Sequence, residues 1–192
     1  MVYRRGAVLD ARTEDAKTRD TCFAGRHPDP VEGAKMQRGT LPLRAVVLPG
    51  AAAGLVGAVS IDAYLIVTVA LARHIGIVPF YQYVASGAIG KAAYEGSAGA
   101  LLGAAIHLVV SLAWGIGYAL VAQSTPQVRA QPLVSGAVFG VVVMLAMQLV
   151  EVAANIYRLP DTLSLANALV AHVVFFGIPV AYVVARGLGR AA

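Results

Sequence analysis

Long apolar runs separated by short polar segments dominate the pattern of this chain. Four runs carry almost no charge; they cover residues 45–72, interrupted only by Asp62, 96–128, 130–150 and 162–185. The hydrocarbon core of a bilayer is about 30 Å thick, and an α-helix rises about 1.5 Å per residue, so about 20 apolar residues cross it once. The pattern therefore predicts four transmembrane helices, at about residues 46–70, 98–122, 133–154 and 163–185.

The segment before the first run has a different character. Residues 1–44 hold nine of the 15 basic and six of the 10 acidic residues, and they show no sustained apolar periodicity. Such a segment cannot bury enough apolar surface to order itself. We therefore expect a disordered, charged cytoplasmic tail over 1–44, a membrane domain over 45–186 and a short cytoplasmic tail over 187–192. A start at Met36, just before the first helix, is an open alternative.

Composition narrows the class of protein further. The chain is 58% hydrophobic and 13% charged, whereas soluble domains carry roughly 25% charged residues. This excludes a soluble enzyme, and Cys22 as the single cysteine excludes a disulfide scaffold. The net charge of +5 needs no nucleic acid to explain it, because basic residues are expected beside transmembrane helices. The predicted partner is the lipid bilayer.

Basic residues near the helix ends predict the orientation. With a cytoplasmic N-terminus, six of them lie inside and three outside. The inside set is Lys35, Arg38, Arg44, Arg129, Arg186 and Arg190, and the outside set is Arg73, Lys91 and Arg158. The positive-inside rule therefore favours both termini in the cytoplasm.

The connection between the first two helices, residues 73–95, is long, apolar and aromatic. It contains Phe80, Tyr81, Tyr83 and Tyr94, and Pro79 can begin a helix. Aromatic side chains suit the headgroup layer. We expect a short interfacial helix here, with a re-entrant loop as the alternative.

Small residues recur at the spacing that allows close helix packing. The GxxxG pairs are Gly50/Gly54, Gly99/Gly103 and Gly136/Gly140. They predict an all-α, compact four-helix bundle, and one such face could instead bind a second copy of the chain. Aligning Gly50 with Gly136 and His107 with His172 also suggests an internal duplication, although small residues at this spacing are common in membrane helices.

The few polar residues within the apolar runs are the candidate functional groups. His107, Ser111, Trp114 and Tyr118 share one face of the second helix, and Met144, Gln148, Glu151 and Asn155 share one face of the third. Helical rise places one polar group from each helix in the outer half of the membrane. The predicted polar cluster consists of Asp62, His107, Ser111, Tyr118, Gln148, Glu151 and His172.

This cluster admits several interpretations. Its groups can hydrogen-bond across helices and stabilise the bundle. They can also line a cavity that a solute or proton reaches, with His107 and His172 close together. A bis-histidine haem b redox carrier with these two ligands, or a metal site near Met144 or Met147, are further alternatives. No nucleophile elbow, P-loop, Rossmann or zinc-ligand spacing is present, so we expect no catalytic activity.

The stretches HLVVSLAWGIGYALVAQSTP, from His107, and AHVVFFGIPVAY, from Ala171, resemble the YagU-like group of small bacterial inner-membrane proteins. The segment ASGAIGKAAYEGSAGALLGAAIH before the second helix is similar to some members as well. The resemblance covers about residues 46–186. It implies four transmembrane helices, no established catalytic activity, and His107, Tyr118 and His172 as characteristic positions.

Overall fold

The computed structural model describes residues 42–156 and 159–191 of the chain. The charged tail predicted for 1–44 therefore falls almost entirely outside the described residues. In the described part every regular element is helical, as the all-α prediction requires.

Four helices are long and apolar enough to cross a membrane within the described part of the chain, with mean hydropathies of 1.9 to 2.3. We name them the first to fourth spans: Leu43–Leu71, Ala98–Ser124, Pro132–Ala153 and Thr162–Gly189. They coincide with the four predicted helices to within a few residues at each end. The chain is therefore a multi-pass membrane protein, because no soluble fold would leave so many large apolar side chains exposed on its helices.

Two of the spans contain a π-helical section. Leu43–Leu65 is α-helical and continues as the π-helix Ile66–Leu71, and the fourth span runs as Thr162–Val170, the π-helix Ala171–Gly177 and Ile178–Ala191. A π-helix accommodates one extra residue within a helix and often lies at a functional site. The section in the fourth span contains His172.

A separate helix, Ile77–Ile89, follows the first span, and we call it the connecting helix. It begins after Gly76 and ends before Gly90, both of which have positive φ angles, 89° and 62°, that glycine adopts without strain. A 3-10 turn, Gly90–Tyr94, leads into the second span, and a short helix, Pro126–Ala130, joins the second span to the third. The short helix predicted within 73–95 is thus present.

Glycines set the distance between the first and second spans. A Cβ atom on Gly115 would lie 2.6 Å from Gly54 Cα and against the Gly50 carbonyl, closer than carbon atoms can approach. Gly136 and Gly140 contact Gly177 of the fourth span in the same way, with a Gly177 Cβ placed 2.8 Å from Gly140 Cα. The predicted GxxxG pairs Gly50/Gly54 and Gly136/Gly140 therefore pack spans together.

The two helix pairs repeat one contact pattern, which bears on the duplication hypothesis. A Gly54 Cβ would meet the carbonyl of Ser111, and a Gly140 Cβ would meet the carbonyl of His172. Ser111 lies four residues before Gly115, whereas His172 lies five residues before Gly177, because the π-helix adds one residue. The packing therefore pairs His172 with Ser111, which corrects the alignment of His172 with His107.

Gly99 and Gly103 have a different role from the other two pairs. A Cβ on Gly99 would strike the Ala93 carbonyl, and one on Gly103 would strike the Tyr81 carbonyl. This pair holds the connecting helix and its 3-10 turn against the second span rather than joining two spans. All three predicted glycine faces are therefore covered within the chain, and a second copy would have to bind elsewhere.

Candidate functional site: a cavity beneath the connecting helix

A cavity of about 340 Å³ lies where the connecting helix covers the four spans. Every span and the connecting helix contribute side chains to it. Most of these are aliphatic or aromatic, and the polar lining residues are Tyr83, His107, Ser111, Glu151 and His172. The cavity is therefore an apolar chamber with a few polar groups, which is the usual composition of a small-molecule site.

Four of the seven residues of the predicted polar cluster line this cavity. They are His107 and Ser111 from the second span, Glu151 from the third and His172 from the fourth. The two histidines share one cavity, as their similar depth predicts. Three different spans thus bring titratable or hydroxyl groups to the same chamber.

Asp62 is a member of the cluster that lies behind the cavity wall. Its Oδ1 atom is 3.1 Å from Nδ1 of His107, and its Oδ2 atom accepts a hydrogen bond of 3.0 Å from the hydroxyl of Tyr81. Neither Asp62 Oδ1 nor His107 Nδ1 has a hydrogen bond of acceptable geometry within the described residues, so their contact is electrostatic and depends on protonation of the imidazole. Tyr81 and Asp62 together fix one side of His107.

The acidic partner changes the chemistry of Tyr81. Burial, the negative charge of Asp62 and the hydrogen bond to that carboxylate, in this order of size, raise the pKa of Tyr81 to about 12. The hydroxyl therefore stays protonated at every physiological pH and remains a donor to Asp62. Tyr81 lies on the connecting helix, so the bond fastens this helix to the first span.

We expect Tyr81→Phe to lower the stability of the protein at pH 8, and to lower it progressively less as the pH rises from 10 to 12. The raised pKa means that the folded state holds the proton more tightly, so its contribution is complete below pH 10 and is lost as the pH rises through about 12. Because the side chain is partly exposed, we expect about 1 kcal/mol at most. Thermal unfolding in detergent between pH 8 and 12 measures this, with Tyr94→Phe as the control. A loss that does not change with pH would show that the Asp62 bond is not its cause.

The ring of His172 has a defined tautomer. Its Nδ1 atom lies 2.8 Å from the carbonyl oxygen of Ala168, one turn earlier in the same span. A carbonyl can only accept, so the neutral ring carries its hydrogen on Nδ1 and leaves Nε2 as an acceptor; this assignment follows from the partner. The Nδ1–H of His172 therefore donates within its own helix, and Nε2 is the atom that can accept a hydrogen bond from a ligand.

Besides Asp62, two further members of the predicted cluster do not line the cavity. The hydroxyl of Tyr118 lies 2.8 Å from Oγ of Ser135, and Ser135 in turn bonds the carbonyl of Val128 beside the short helix. Gln148 follows Met147, a lining residue, and one residue turns an α-helix by about 100°. Tyr118 is buried at the opposite end of the bundle, and Gln148 is not among the lining residues, so the structure does not bring these two positions together with the histidines.

Aromatic side chains bound the chamber, and two of them come from the connecting helix. Trp114 and Phe176 line it. The centroid of the Phe139 ring lies 6.0 Å from that of Trp114 and 6.1 Å from that of Phe176. Phe80 and Tyr83 of the connecting helix also line it, although their aromatic pattern predicts contact with headgroups. The signal that could have found them is their spacing of three residues, which places both on one helix face.

A second, wider depression of about 720 Å³ adjoins the cavity. Lys91, Tyr94 and Asn155 line it, and it shares Tyr83 and Ile156 with the cavity. The shared residues show that the two spaces meet at this wall. The depression thus lies beside the cavity, at the end of the bundle where the connecting helix lies.

The lining does not fit haem b, although two histidines are the required axial ligands. Haem carries two propionates, and the described residues around the cavity contain no Lys or Arg to pair with them but do contain Glu151. No group of three His, Cys, Asp or Glu that could hold a metal ion occurs among the residues the structure describes. The lining therefore offers two imidazoles but no basic side chain for the propionates among the described residues.

Comparison with known proteins finds no family model, no curated protein and no solved structure that matches this chain. The resemblance to the YagU-like group accordingly stays a prediction from the quoted residues. What can be said of function rests on the geometry of the cavity.

Proposed function

We propose that this chain binds a small organic solute in the cavity beneath the connecting helix. One observation carries the proposal: His107, Glu151 and His172, from three different spans, line a single chamber of about 340 Å³ inside an otherwise apolar bundle. Ionisable groups within membrane spans are costly and usually face a water-filled or ligand-filled space. A chamber of this size lies at the small end of the range for ligand pockets.

The alternative is that these polar groups only hold the helices together. Hydrogen bonds made by other residues already join several of the spans. The hydroxyl of Tyr64 donates to Asn167 Oδ1 over 2.8 Å and joins the first span to the fourth. Tyr118 and Ser135 join the second to the third. By contrast, His172 bonds a carbonyl of its own helix and joins no two spans. Of the ionisable cavity residues, His172 thus links no two spans, whereas His107 also contacts Asp62 of the first span and Glu151 also contacts Tyr83 of the connecting helix.

For the location we propose the bacterial cytoplasmic membrane, with both termini in the cytoplasm. The bias of basic residues near the span ends supports this orientation. It places the connecting helix, the depression and the cavity on the outer side, so that a solute enters from outside. The proposed function is binding or passage of this solute, without a catalytic step.

Thiol chemistry tests whether the cavity is open to water. In a Cys22→Ser background, we expect Met147→Cys to react with neutral hydroxyethyl methanethiosulfonate about tenfold faster than Leu149→Cys, in protein held in lipid nanodiscs. Met147 lines the cavity, whereas Leu149 is 70% exposed on the outside of the same helix, where lipid surrounds it. Reaction needs the thiolate, which forms in water and not in hydrocarbon.

The comparison is matched because the two positions lie two residues apart at nearly the same depth. Equal, slow rates at both would mean that the chamber is closed and dry, and the proposal would fail. In that outcome the polar residues would keep only a packing role.

A further inference from the structure

We infer that the solute is a small aromatic or aliphatic amine bound as its cation. This deepens the proposed function and rests on it. The polar lining residues favour a cationic ligand, and the aromatic rings favour one that can be placed against their faces. The volume of the cavity limits the ligand to a small molecule.

Two of the polar groups that line the cavity offer acceptors to a ligand. Glu151 supplies a carboxylate, and Nε2 of the neutral His172 ring supplies a lone pair, because Nδ1 is bonded to Ala168. Tyr83 is a hydrogen-bonding neighbour of Glu151, and one hydroxyl donates only one hydrogen bond to a carboxylate that has about four acceptor positions. A ligand that brings several N–H donors complements this arrangement, as an ammonium group does.

Charge points to the same class of ligand. Of the described residues that line the cavity, Glu151 is the acidic one, and none is Lys or Arg; His107 also lines it but already lies against the carboxylate of Asp62. A carboxyl group in an apolar chamber stays ionised most easily when a cation accompanies it, and otherwise tends to hold a proton. A bound ammonium ion supplies this cation, whereas an anionic solute would add a second unpaired negative charge.

Aromatic faces add a second source of attraction. Trp114, Phe176, Phe80 and Tyr83 line the same cavity, and a cation over an aromatic face is attracted by the ring, most strongly when water is excluded. Lys91 lies in the adjoining depression rather than in the cavity and is exposed, so solvent and salt screen its charge. Carboxylate, imidazole and aromatic rings together form a site for a monovalent amine with one ring or a short chain.

The single tryptophan of the chain makes this testable. Because Trp114 lines the cavity, its fluorescence reports occupancy directly. We propose to titrate nanodisc-embedded protein with 2-phenylethylammonium, 2-phenylethanol and phenylacetate at pH 7. We expect a saturable change with the ammonium ion at a Kd at least tenfold lower than with the alcohol, and no saturable change with the anion.

Two variants separate charge from general binding. Glu151→Gln keeps the shape and removes the charge, and we expect it to raise the Kd of the ammonium ion about tenfold or more. Glu95→Gln makes the same change at an exposed position at the same end of the bundle and should leave the Kd unchanged. The selectivity of the unaltered protein stands as a second measurement if Glu151→Gln is unstable.

The outcomes distinguish this inference from the proposed function. Equal affinities for the ammonium ion and the alcohol, or preference for the anion, would overturn the inference while leaving a solute cavity in place. Absence of any saturable change, together with a fast reaction of Met147→Cys, would likewise overturn it and leave the cavity open to another solute. A slow reaction of Met147→Cys would remove the proposed function itself.

Discussion

Gly115→Ala should destabilise the protein by about 3 kcal/mol, although it adds a single methyl group. The new Cβ would lie 2.6 Å from Gly54 Cα and press on the Gly50 carbonyl. Both are backbone atoms of a neighbouring span and cannot rotate away, so the spans must separate. Overpacking of a well-packed site costs about 1–3 kcal/mol, and we expect the upper end because no side chain can yield. Unfolding in mixed detergent micelles, followed by Trp114 fluorescence, measures the change.

Gly117→Ala is the matched control, two residues further along the same helix. Nothing lies within 4 Å of a Cβ at that position. Alanine favours a helix over glycine by about 1 kcal/mol or less, so this variant should be unchanged or slightly more stable. Equal destabilisation by the two variants would contradict the packing described here, because helix propensity alone treats them alike.

A second large effect is expected from Gly103→Ala, which should loosen the connecting helix over the cavity. The added Cβ would strike the Tyr81 carbonyl and lie 3.2 Å from the backbone nitrogen of Ala85. If the methyl group weakens the attachment of the connecting helix to the second span by about 1.4–2.8 kcal/mol, the population of the detached state rises about tenfold to a hundredfold. In a Cys22→Ser background, Ser86→Cys reports it, because Ser86 is 3% exposed on the connecting helix.

We expect the cysteine at position 86 to react with a methanethiosulfonate reagent about tenfold or more faster once Gly103→Ala is added. Gly87→Ala is the control, since its Cβ would meet only the end of the Ile156 side chain at an ordinary 3.9 Å. An unchanged rate with Gly103→Ala would mean that the helix adjusts to the methyl group without detaching. The loss of amine binding in the same variant would link the connecting helix to the cavity.

Packing detail lay beyond the sequence pattern at several positions. Gly115 and Gly117 are both glycines of the second span, and only the first contacts the first span. Spacing rules treat the two glycines alike, because these rules identify small residues but do not identify which of them contact a neighbouring helix. For the same reason the contact of Gly177 with Gly136 and Gly140 could not be predicted from spacing, because it depends on the π-helix.

The polar cluster shows the same division. His107, Ser111, Glu151 and His172 are predicted from depth and helix face, and the cavity brings them together. Tyr118 shares the helix face of His107, but 11 residues of rise carry it about 16 Å away along the helix, where it bonds Ser135. The contacts of Tyr81 and Tyr83 depend on how the connecting helix packs against the spans. The periodicity of the helix itself does not predict this packing.

By itself, the sequence determined the four spans, their approximate ends, the helix between the first two, and the small residues that allow close packing. These follow from local physics: apolar length must match the bilayer, and helical periodicity decides which residues share a face. Tertiary structure alone decided which glycines meet, which polar groups share one chamber, and that His172 is the counterpart of Ser111. The reason is that such pairings depend on rotation and register between helices, and a single extra residue in the fourth span, held in its π-helix, shifts that register.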